Sequence, residues 1–243
     1  MLPLLYRDLT GWYRLVDPPA DHLLETERHR EALARGLSSG KLETLLELGA
    51  GAGHNAVHLK KHLRCTLTDL SADMSRLSRE LNPECEHALG DMRDLRLGRM
   101  FDAVLIHDAV MYMTTKEDLA AAAKTAFAHT RPGGAALFAP DCVRETFREM
   151  TELEGSDDGA RSARFMMWSW DPDPTDDTYV VDFSFLLRDG TDVRAVHDRH
   201  IEGVFSRAIW REVLESAGFA VEFVSQKVED GRVEELVLCS RPA

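Results

Sequence analysis

Three glycines at alternate positions follow an apolar run near residue 48 and form a turn suited to ligand binding. Gly49, Gly51 and Gly53 lie in the segment ELGAGAGHNAVHL, whose second half has helical character. Glycine allows the positive φ angles of a tight turn and leaves the backbone open to a ligand. The amide groups at the start of the following helix would face that ligand. The spacing of Gly51, Gly53 and Ala56 also satisfies a loose dinucleotide fingerprint, so a nicotinamide enzyme stays open as an interpretation.

Acidic and thioether side chains at the ends of later apolar runs narrow the ligand chemistry. Asp69 follows Gly49 by 20 residues and could accept both hydroxyls of a ribose. Met74 could lie against an adenine face, Asp91 could accept from the adenine amino group, and Glu47 precedes the turn, near a ligand ammonium group. Each residue alone has an ordinary explanation as a solvated loop end or a core methionine. Together they describe a pocket for a cationic adenosyl ligand, with no cluster of cations to hold a pyrophosphate.

The motifs ELGAGAG, TLTDLSADM, GDMRDL, FDAVLIHDAVMYM and RPGGAALF, in this order, resemble the class I S-adenosylmethionine-dependent methyltransferases. The resemblance covers roughly residues 43–140 and resumes after residue 206. It implies S-adenosylmethionine (SAM) as the cofactor and a seven-stranded sheet whose final strand is antiparallel. The cofactor-binding residues that it implies are Glu47, Gly49, Ala50, Gly51, Gly53, Asp69, Leu70, Met74, Asp91, Met92 and His107. Of these, His107 would lie beside the sulfonium and the incoming nucleophile.

The substrate class is indicated by two segments outside the motifs. A tyrosine-bearing amino-terminal helix with an antiparallel insertion after the fifth strand is similar to small-molecule N-methyltransferases, such as those that act on amino sugars of natural products. The segment HDAVMYM lacks the Asn-Pro-Pro-Tyr type signature of methyltransferases that act on planar amines of nucleic acids or protein glutamine. We expect N-methylation of a small molecule. The alternatives are O-methylation of a hydroxyl or carboxylate, a nicotinamide-dependent oxidoreductase, and a non-catalytic SAM-binding module.

Methyl transfer from a sulfonium is an in-line displacement by an activated reagent, so the protein mainly aligns the reactants and excludes water. A general base is needed only when the nucleophile arrives protonated. His107 and Asp108 are the local candidates, and His107 is the better one because its ordinary pKa is near neutral. Equally, its backbone alone could contact the cofactor. Tyr13, with Tyr6 and Trp12, could fold over the open top of the site or merely anchor its segment. We expect His107 and Tyr13 to be the catalytic residues.

Alternating strand-like and helix-like segments must position these residues. Apolar runs of strand length occur at 42–48, 65–70, 101–113 and 135–140, with helical patterns at 20–37, 53–63, 71–82 and 116–130. This order predicts an α/β fold, a Rossmann-like doubly wound parallel sheet covered by helices on both faces. We expect one methyltransferase domain over 1–243, with a helical cap at 1–40 and an antiparallel β insertion at about 155–205. The insertion would be a lid over the substrate or a dimer contact.

Within the insertion, TYVVDFSFLL and TDVRAVHDRHIEGVF predict two long strands joined at the turn RDG. Two acidic stretches, 152–159 and 171–177, flank the apolar group FMMWSW. His197 and His200 are three residues apart, which on a strand puts them on opposite faces and disfavours a shared metal ion. The four cysteines form no CxxC pair, so a zinc site lacks a scaffold. We expect no metal.

Composition limits the partners and the compartment. The chain has 243 residues, 44% of them hydrophobic, and a net charge of −13. This charge, without a basic stripe, disfavours nucleic acid and anionic membrane surfaces. The amino terminus lacks the pattern of a secretory leader, and no apolar run reaches the ~18 residues of a membrane span. We expect a cytoplasmic enzyme with a small-molecule substrate, and a homodimer is compatible with the insertion.

Overall fold

A seven-stranded sheet forms the centre of the protein, and a second, four-stranded sheet accompanies it. The computed structural model describes residues 2–227 and 233–243. The strands are β1 (Thr44–Leu48), β2 (Arg64–Asp69), β3 (Glu86–Leu89), β4 (Phe101–His107), β5 (Thr130–Ala139), β6 (Met150–Asp158), β7 (Arg161–Trp170), β8 (Thr178–Asp189), β9 (Asp192–Gly203), β10 (Ala220–Lys227) and β11 (Val233–Ser240). The helices are α1 (Tyr13–Val16), α2 (Leu23–Gly36), α3 (His54–Leu59), α4 (Ala72–Leu81), α5 (Lys116–His129) and α6 (Arg207–Ala217).

The first sheet has the strand order β10-β11-β5-β4-β1-β2-β3. Strands β1 to β5 pair in parallel, and β11 pairs antiparallel with both β5 and β10. The predicted doubly wound sheet with an antiparallel final strand is therefore confirmed. In such a sheet the carboxyl ends of β1, β2 and β4 meet at one edge, so residues that follow these strands come together there.

Both faces of the central strands are buried, which explains why their sequences are almost continuously apolar. In β1, Leu46 and Leu48 pack with residues of α5 and α6 on one face, while Leu45 packs with α2 and α3 on the other. At the start of α4, the Ser71 hydroxyl accepts a hydrogen bond from the Met74 N–H, as its sequence position predicts. The sheet edge is thus a fixed platform for the segments that follow each strand.

The second sheet, in the order β6-β7-β8-β9, is antiparallel throughout and spans residues 150–203. The predicted hairpin at the RDG turn joins β8 to β9. We did not predict β6 and β7 as strands, because the acidic residues of 152–158 show no apolar alternation. β6 is an edge strand whose residues are mostly exposed. Charged side chains are common on such edges, where they discourage pairing with other chains.

The amino-terminal segment packs on the second sheet and reaches the first. Its apolar side chains share one buried cluster with that sheet, formed by Leu5, Leu9, Leu15, Val16, Ala163, Phe165, Phe185 and Leu187. The Leu5 N–H donates to Asp198 Oδ2 at 2.8 Å, and the Ser71 hydroxyl donates to the Tyr6 carbonyl at 2.7 Å. The helix predicted at 20–37 is observed as α2, preceded by a 3₁₀ turn at Pro19–His22. Over the described ranges, no helix is long and apolar enough to cross a membrane.

Candidate active site

A cavity of about 780 Å³ lies at the carboxyl ends of β1, β2 and β4, within the size range of ligand pockets. The predicted site residues that line it are Tyr13, Glu47, Gly49, Ala50, Gly51, Asp69, Leu70, Met74, Asp91, Met92 and His107. The amino-terminal segment also contributes Tyr6, Asp17 and His22 to the wall. The structure therefore brings almost all of the predicted residues to one place, although they come from five separate stretches of the sequence.

Glycine occupies the three positions of this turn for different physical reasons. Gly49, Gly51 and Gly53 have φ values of 74°, 55° and 76°, all in the left-handed region. A Cβ at Gly49 would lie 2.3 Å from the Cβ of Ala109, and one at Gly53 would lie 2.4 Å from Ser78 Oγ. A Cβ at Gly51 would meet nothing closer than 3.6 Å, and Gly51 lines the cavity. Gly53 packs against α4 and is not part of the cavity wall, so its contact with the ligand stays a prediction.

Asp69 ends β2 and connects the glycine turn to the start of α4. Its Oδ2 accepts from the Gly51 N–H at 2.8 Å, and its Oδ1 accepts from the Ser71 N–H at 2.7 Å. Burial raises the pKa of this carboxyl. A carboxylate offers about four lone-pair sites, so acceptor capacity remains for ligand hydroxyls. The position of Asp69 in the cavity wall suits the ribose contact predicted for it.

The region expected to hold an adenine contains two methionines and one ion pair. Met74 is almost fully buried, and Met92 lines the cavity beside Asp91. Asp91 Oδ2 lies 2.6 Å from a terminal nitrogen of Arg93, and this hydrogen bond lowers the pKa of the Asp91 carboxyl. Arg93 also donates to Asp118 at 3.1 Å. We did not assign Arg93 from the sequence, and any adenine amino group that binds Asp91 must share the carboxylate with it.

Glu47 lies at the end of the cavity nearest β1. Its side chain is buried, and one of its two carboxyl oxygens has no hydrogen-bond partner. Its Oε1 accepts from Asn55 Nδ2 at 2.9 Å, whereas its Oε2 has no hydrogen-bond partner. Burial raises the pKa of Glu47 to about 7. A buried carboxyl oxygen without a partner is unfavourable unless a ligand supplies a donor. The ammonium group of SAM is such a donor, so the residues present fit the methionine end of this cofactor.

His107 lies at the end of β4 among carboxylates. Its Nε2 is 2.9 Å from Glu25 Oε1 and 2.8 Å from Asp108 Oδ1, and its Nδ1 is 3.1 Å from Asn55 Nδ2. Burial disfavours the charged imidazole, but Asp108 and Glu25 outweigh burial and hold the pKa of His107 well above its usual value. A charged imidazolium has no lone pair and cannot accept a proton. The two carboxylates beside Nε2 favour the protonated ring, and the role of His107 as general base stays a prediction.

A second group of polar residues lies near the same end of the cavity, and we did not predict it from the sequence. The Asp17 carboxylate lies 2.6 Å from His22 Nε2 and 3.2 Å from His54 Nδ1. Burial opposes the charge on Asp17, but these two hydrogen bonds keep its pKa below the usual range. In two overlapping sets, Asp17 with His22 and His54, and His22 with Glu25 and His107, the nearest donor atoms lie within 4.8 Å of one another. The expectation of no metal stays a prediction. Asp17 and His22 belong to the amino-terminal segment, where no strand end points to a site.

Three tyrosines line the rest of the cavity. The ring centroid of Tyr6 lies 6.2 Å from that of Tyr13 and 5.7 Å from that of Tyr112. Burial raises the pKa of all three phenols, so each stays neutral and can donate or accept hydrogen bonds. Tyr13 lines the cavity, and its catalytic role stays a prediction. Tyr112 was not predicted, although it lies within the motif after β4.

Comparison with known proteins gives the same assignment as the motifs. The family described as "Methyltransferase domain" matches residues 45–134. The dTDP-3-amino-3,4,6-trideoxy-alpha-D-glucopyranose N,N-dimethyltransferase of Streptomyces venezuelae is 31% identical over 186 residues, which are 74% of this chain and 77% of the relative. The dTDP-3-amino-3,6-dideoxy-alpha-D-glucopyranose N,N-dimethyltransferase of Streptomyces fradiae is 28% identical over 76% of this chain and 73% of its own length.

Solved structures extend the similarity to the whole fold. The crystal structure of Streptomyces venezuelae DesVI matches with a TM-score of 0.81 and 27% identity over 92% of each chain. The sugar N-methyltransferase KedS8 from Streptoalloteichus has the same TM-score at 21% identity, covering all of this chain and 95% of its own, and so supports the fold alone. These similarities exclude the nicotinamide interpretation and the non-catalytic module. The chain belongs to the S-adenosylmethionine-dependent methyltransferases, with SAM as its cofactor.

Proposed function

We propose that this enzyme transfers methyl groups from SAM to the amino group of an amino sugar, and that the substrate is a dTDP-linked amino sugar. Two relatives that align over about three quarters of both chains are named for N,N-dimethylation of dTDP-3-amino sugars. The motif after β4 also lacks the signature for planar amines of nucleic acids or protein glutamine. Both observations favour an aliphatic amine as the acceptor.

The observation that carries the proposal is the position of Asp108. Its side chain is 54% exposed at the end of β4, beside His107 and the cavity. Asp108 has a φ of 41°, an unfavourable value for a non-glycine residue. Strained residues persist where the surrounding structure holds them, and they are concentrated at functional sites. An exposed carboxylate here attracts an ammonium substrate and repels a carboxylate substrate, which favours an amine over a carboxylic acid as the methyl acceptor.

The other polar groups of the wall argue against a hydroxyl acceptor. A hydroxyl must lose its proton as it attacks, and this step needs a base beside it. The pKa values of Tyr6, Tyr13 and Tyr112 are raised, and that of His107 is raised as well, so none of these groups is a strong acceptor. A neutral amine already has a lone pair and needs mainly alignment with the methyl group.

The test uses a matched set of acceptors with purified enzyme and SAM. The set contains a dTDP-3-amino sugar, the same sugar with a 3-hydroxyl, and the same sugar with a 3-carboxylate in place of the amine. We expect products carrying one and then two added methyl groups from the amine only, measured by mass spectrometry. Methylation of the hydroxyl sugar in preference to the amine, or no methylation of any amino sugar, would contradict the proposal.

A homodimer is the assembly that we propose. The outer face of the second sheet carries exposed apolar side chains, namely Leu153, Met166, Trp168, Leu186 and Val193. Contiguous apolar patches of this kind commonly mark protein contacts. Light scattering should give twice the chain mass of 27.3 kDa, and Trp168→Glu should return it to the monomer value. A parent protein with the mass of a single chain would contradict the dimer.

We propose the cytoplasm as the compartment of this enzyme, because all four cysteines are free thiols.

A further inference from the structure

Three aromatic rings lie next to one another in the wall of the cavity. Tyr6, Tyr13 and Tyr112 all line the cavity, and each of them is only partly buried. The Tyr6 ring is inclined at 51° to the Tyr13 ring and at 89° to the Tyr112 ring, with centroids 6.2 Å and 5.7 Å away. Rings at such angles are not stacked flat on one another. They therefore form a curved aromatic wall.

This wall adjoins the part of the cavity that we assign to the cofactor. Tyr6 and Tyr13 pack against the cluster that contains Met74. A Cβ at Gly51 would lie 3.9 Å from Tyr13 Oη, so the Tyr13 hydroxyl is close to the glycine turn. Tyr112 ends the 3₁₀ turn that follows β4. An acceptor that binds beside the cofactor is therefore within reach of the rings.

Hydrogen bonds hold two of the rings in place. The Tyr112 hydroxyl donates to the Tyr6 hydroxyl at 2.9 Å, and Tyr112 Oη also lies 2.8 Å from Nδ1 of the buried His200. At the backbone, the Tyr6 carbonyl accepts from the Ser71 hydroxyl at 2.7 Å. Groups that are already fixed lose little conformational freedom when a ligand binds. The rings are thus arranged before the acceptor arrives.

The charges around the rings favour a cation. Burial, with a smaller contribution from the charge of Asp108, raises the pKa of Tyr6 and Tyr13, so these phenols stay neutral. The face of a neutral aromatic ring carries partial negative charge and attracts cations. Among the described residues that line the cavity, Arg93 is the only arginine or lysine, and it is paired with Asp91. The chemistry of the wall therefore suits a positively charged ligand group.

We propose that Tyr6, Tyr13 and Tyr112 form an aromatic cage for the positive charge that methylation creates on the acceptor nitrogen. This inference rests on the proposed function, since it takes an aliphatic amine as the acceptor. The ligand class is an alkylammonium group. The cage binds such a group through cation–π attraction, and it binds a neutral group of the same shape more weakly.

The cage acts on the step in which the charge moves. The lone pair of the amine nitrogen forms a bond to the methyl carbon, the C–S bond breaks, and the electron pair of that bond stays on sulfur. The positive charge thus passes from sulfur to nitrogen. The ammonium then loses one proton to water, which restores a lone pair for the second transfer. Because the free amine carries no charge, the attraction of the rings is stronger in the transition state than in the bound substrate.

The first test measures a preference for charge at constant shape. Choline and its neutral isostere, in which a tert-butyl group replaces the trimethylammonium group, are each titrated into enzyme saturated with S-adenosylhomocysteine. Calorimetry or ligand NMR gives the two affinities. We expect the parent to bind choline roughly 10-fold more tightly than the isostere, the scale of one or two cation–π contacts. Equal affinities would overturn the cage.

Variants at Tyr112 separate the rings from the carboxylates. Tyr112→Phe keeps the ring and should keep the preference for choline. Tyr112→Leu removes the ring and should weaken choline binding by roughly 10-fold, with a much smaller change for the isostere. Phe223→Leu, on the edge strand β10 and outside the cavity wall, is the control and should behave as the parent. Equal choline affinity in Tyr112→Phe and Tyr112→Leu would mean that carboxylates alone attract the cation, against the cage.

A fluorinated series decides the question even where Tyr112→Leu fails to fold. Tyr112→Phe is prepared with one, two and three fluorine atoms on the ring, which weaken the negative ring face and change its shape little. The affinity for choline should fall at each step, and the affinity for the isostere should stay constant. An unchanged affinity for choline across the series would overturn the cage.

The cage and the proposed function can fail separately. If the parent methylates an amino sugar but binds choline no better than the isostere, the cage is wrong and the amine acceptor stands. If the parent methylates no amino sugar, the proposed function fails, and the catalytic role of the cage fails with it even where choline binding is selective.

Discussion

At the scale of single residues, Glu47 should change its protonation when the cofactor binds. Its pKa is about 7 in the structure because the carboxyl is buried, so it is mostly protonated at pH 6. The cofactor ammonium favours the carboxylate form, so binding at pH 6 should release close to one proton, and affinity should rise as the pH increases through about 7. Calorimetry in buffers of different ionisation enthalpy measures this release.

Two variants define the source of that proton. Glu47→Gln keeps the size of the side chain and removes its titration, so proton release should vanish and binding should weaken by roughly 1.5–3 kcal/mol, the worth of one charge-assisted hydrogen bond. Glu43→Gln changes an exposed acid just before β1 and should behave as the parent. Equal proton release by the parent and Glu47→Gln would show that another group ionises.

Residues that follow strands could be predicted from the sequence, and residues from the amino-terminal segment could not. Asp69 and Asp91 come directly after apolar runs, and parallel strands bring such positions to one edge. Asp17 and His22 reach the same cavity from the amino-terminal segment, part of which packs on the second sheet, and no local pattern reports this long-range contact. The pairing of His107 with Glu25 depends on the packing of α2 against the first sheet, which is also a long-range contact.

At the scale of elements, the glycine turn should be sensitive to substitution at Gly49 because of packing. Gly49→Ala combines a positive φ with a Cβ only 2.3 Å from Ala109 Cβ. We expect a loss of roughly 2–5 kcal/mol in unfolding free energy, the sum of left-handed strain and overpacking. Gly98→Ala is the matched control, with a φ of 69° and no atom within 4 Å of its new Cβ. It should lose only about 1–2 kcal/mol in denaturant unfolding. Equal losses would mean that strain alone acts at Gly49.

The strands differ in how well their sequences predict them, and burial is the reason. β1 and β4 are buried on both faces and appear as almost continuous apolar runs. The second half of β8 alternates between buried and exposed residues, and the alternation of Val181, Phe183 and Phe185 with polar residues predicts this strand correctly. β6 has no apolar face of its own and exists because β7 pairs along its full length. Backbone pairing of this kind leaves little trace in side-chain types.

At the scale of the whole molecule, the second sheet and the amino-terminal segment form one unit that completes the cavity. The segment supplies Tyr6 and Tyr13 to the wall, and the sheet supplies the buried cluster on which the segment rests. The insertion, predicted as a lid or a dimer contact, therefore supports part of the cavity wall through the amino-terminal segment. Loosening this unit should weaken both cofactor binding and turnover while the seven-stranded sheet remains folded.

Phe185→Ala tests this coupling, because Phe185 is fully buried at the centre of the shared cluster. The cavity left by such a truncation costs about 3–5 kcal/mol. We expect hydrogen exchange to accelerate in residues 2–17 and in β7 to β9, with little change in β1, β4 and β5, and SAM affinity to fall in parallel. Arg194→Ala, on the same sheet but exposed and outside the apolar patch, should change neither exchange nor affinity. Faster exchange across β1, β4 and β5 in Phe185→Ala would show instead that the two sheets unfold as one cooperative unit, and unchanged SAM affinity would show that the cavity does not depend on the amino-terminal segment.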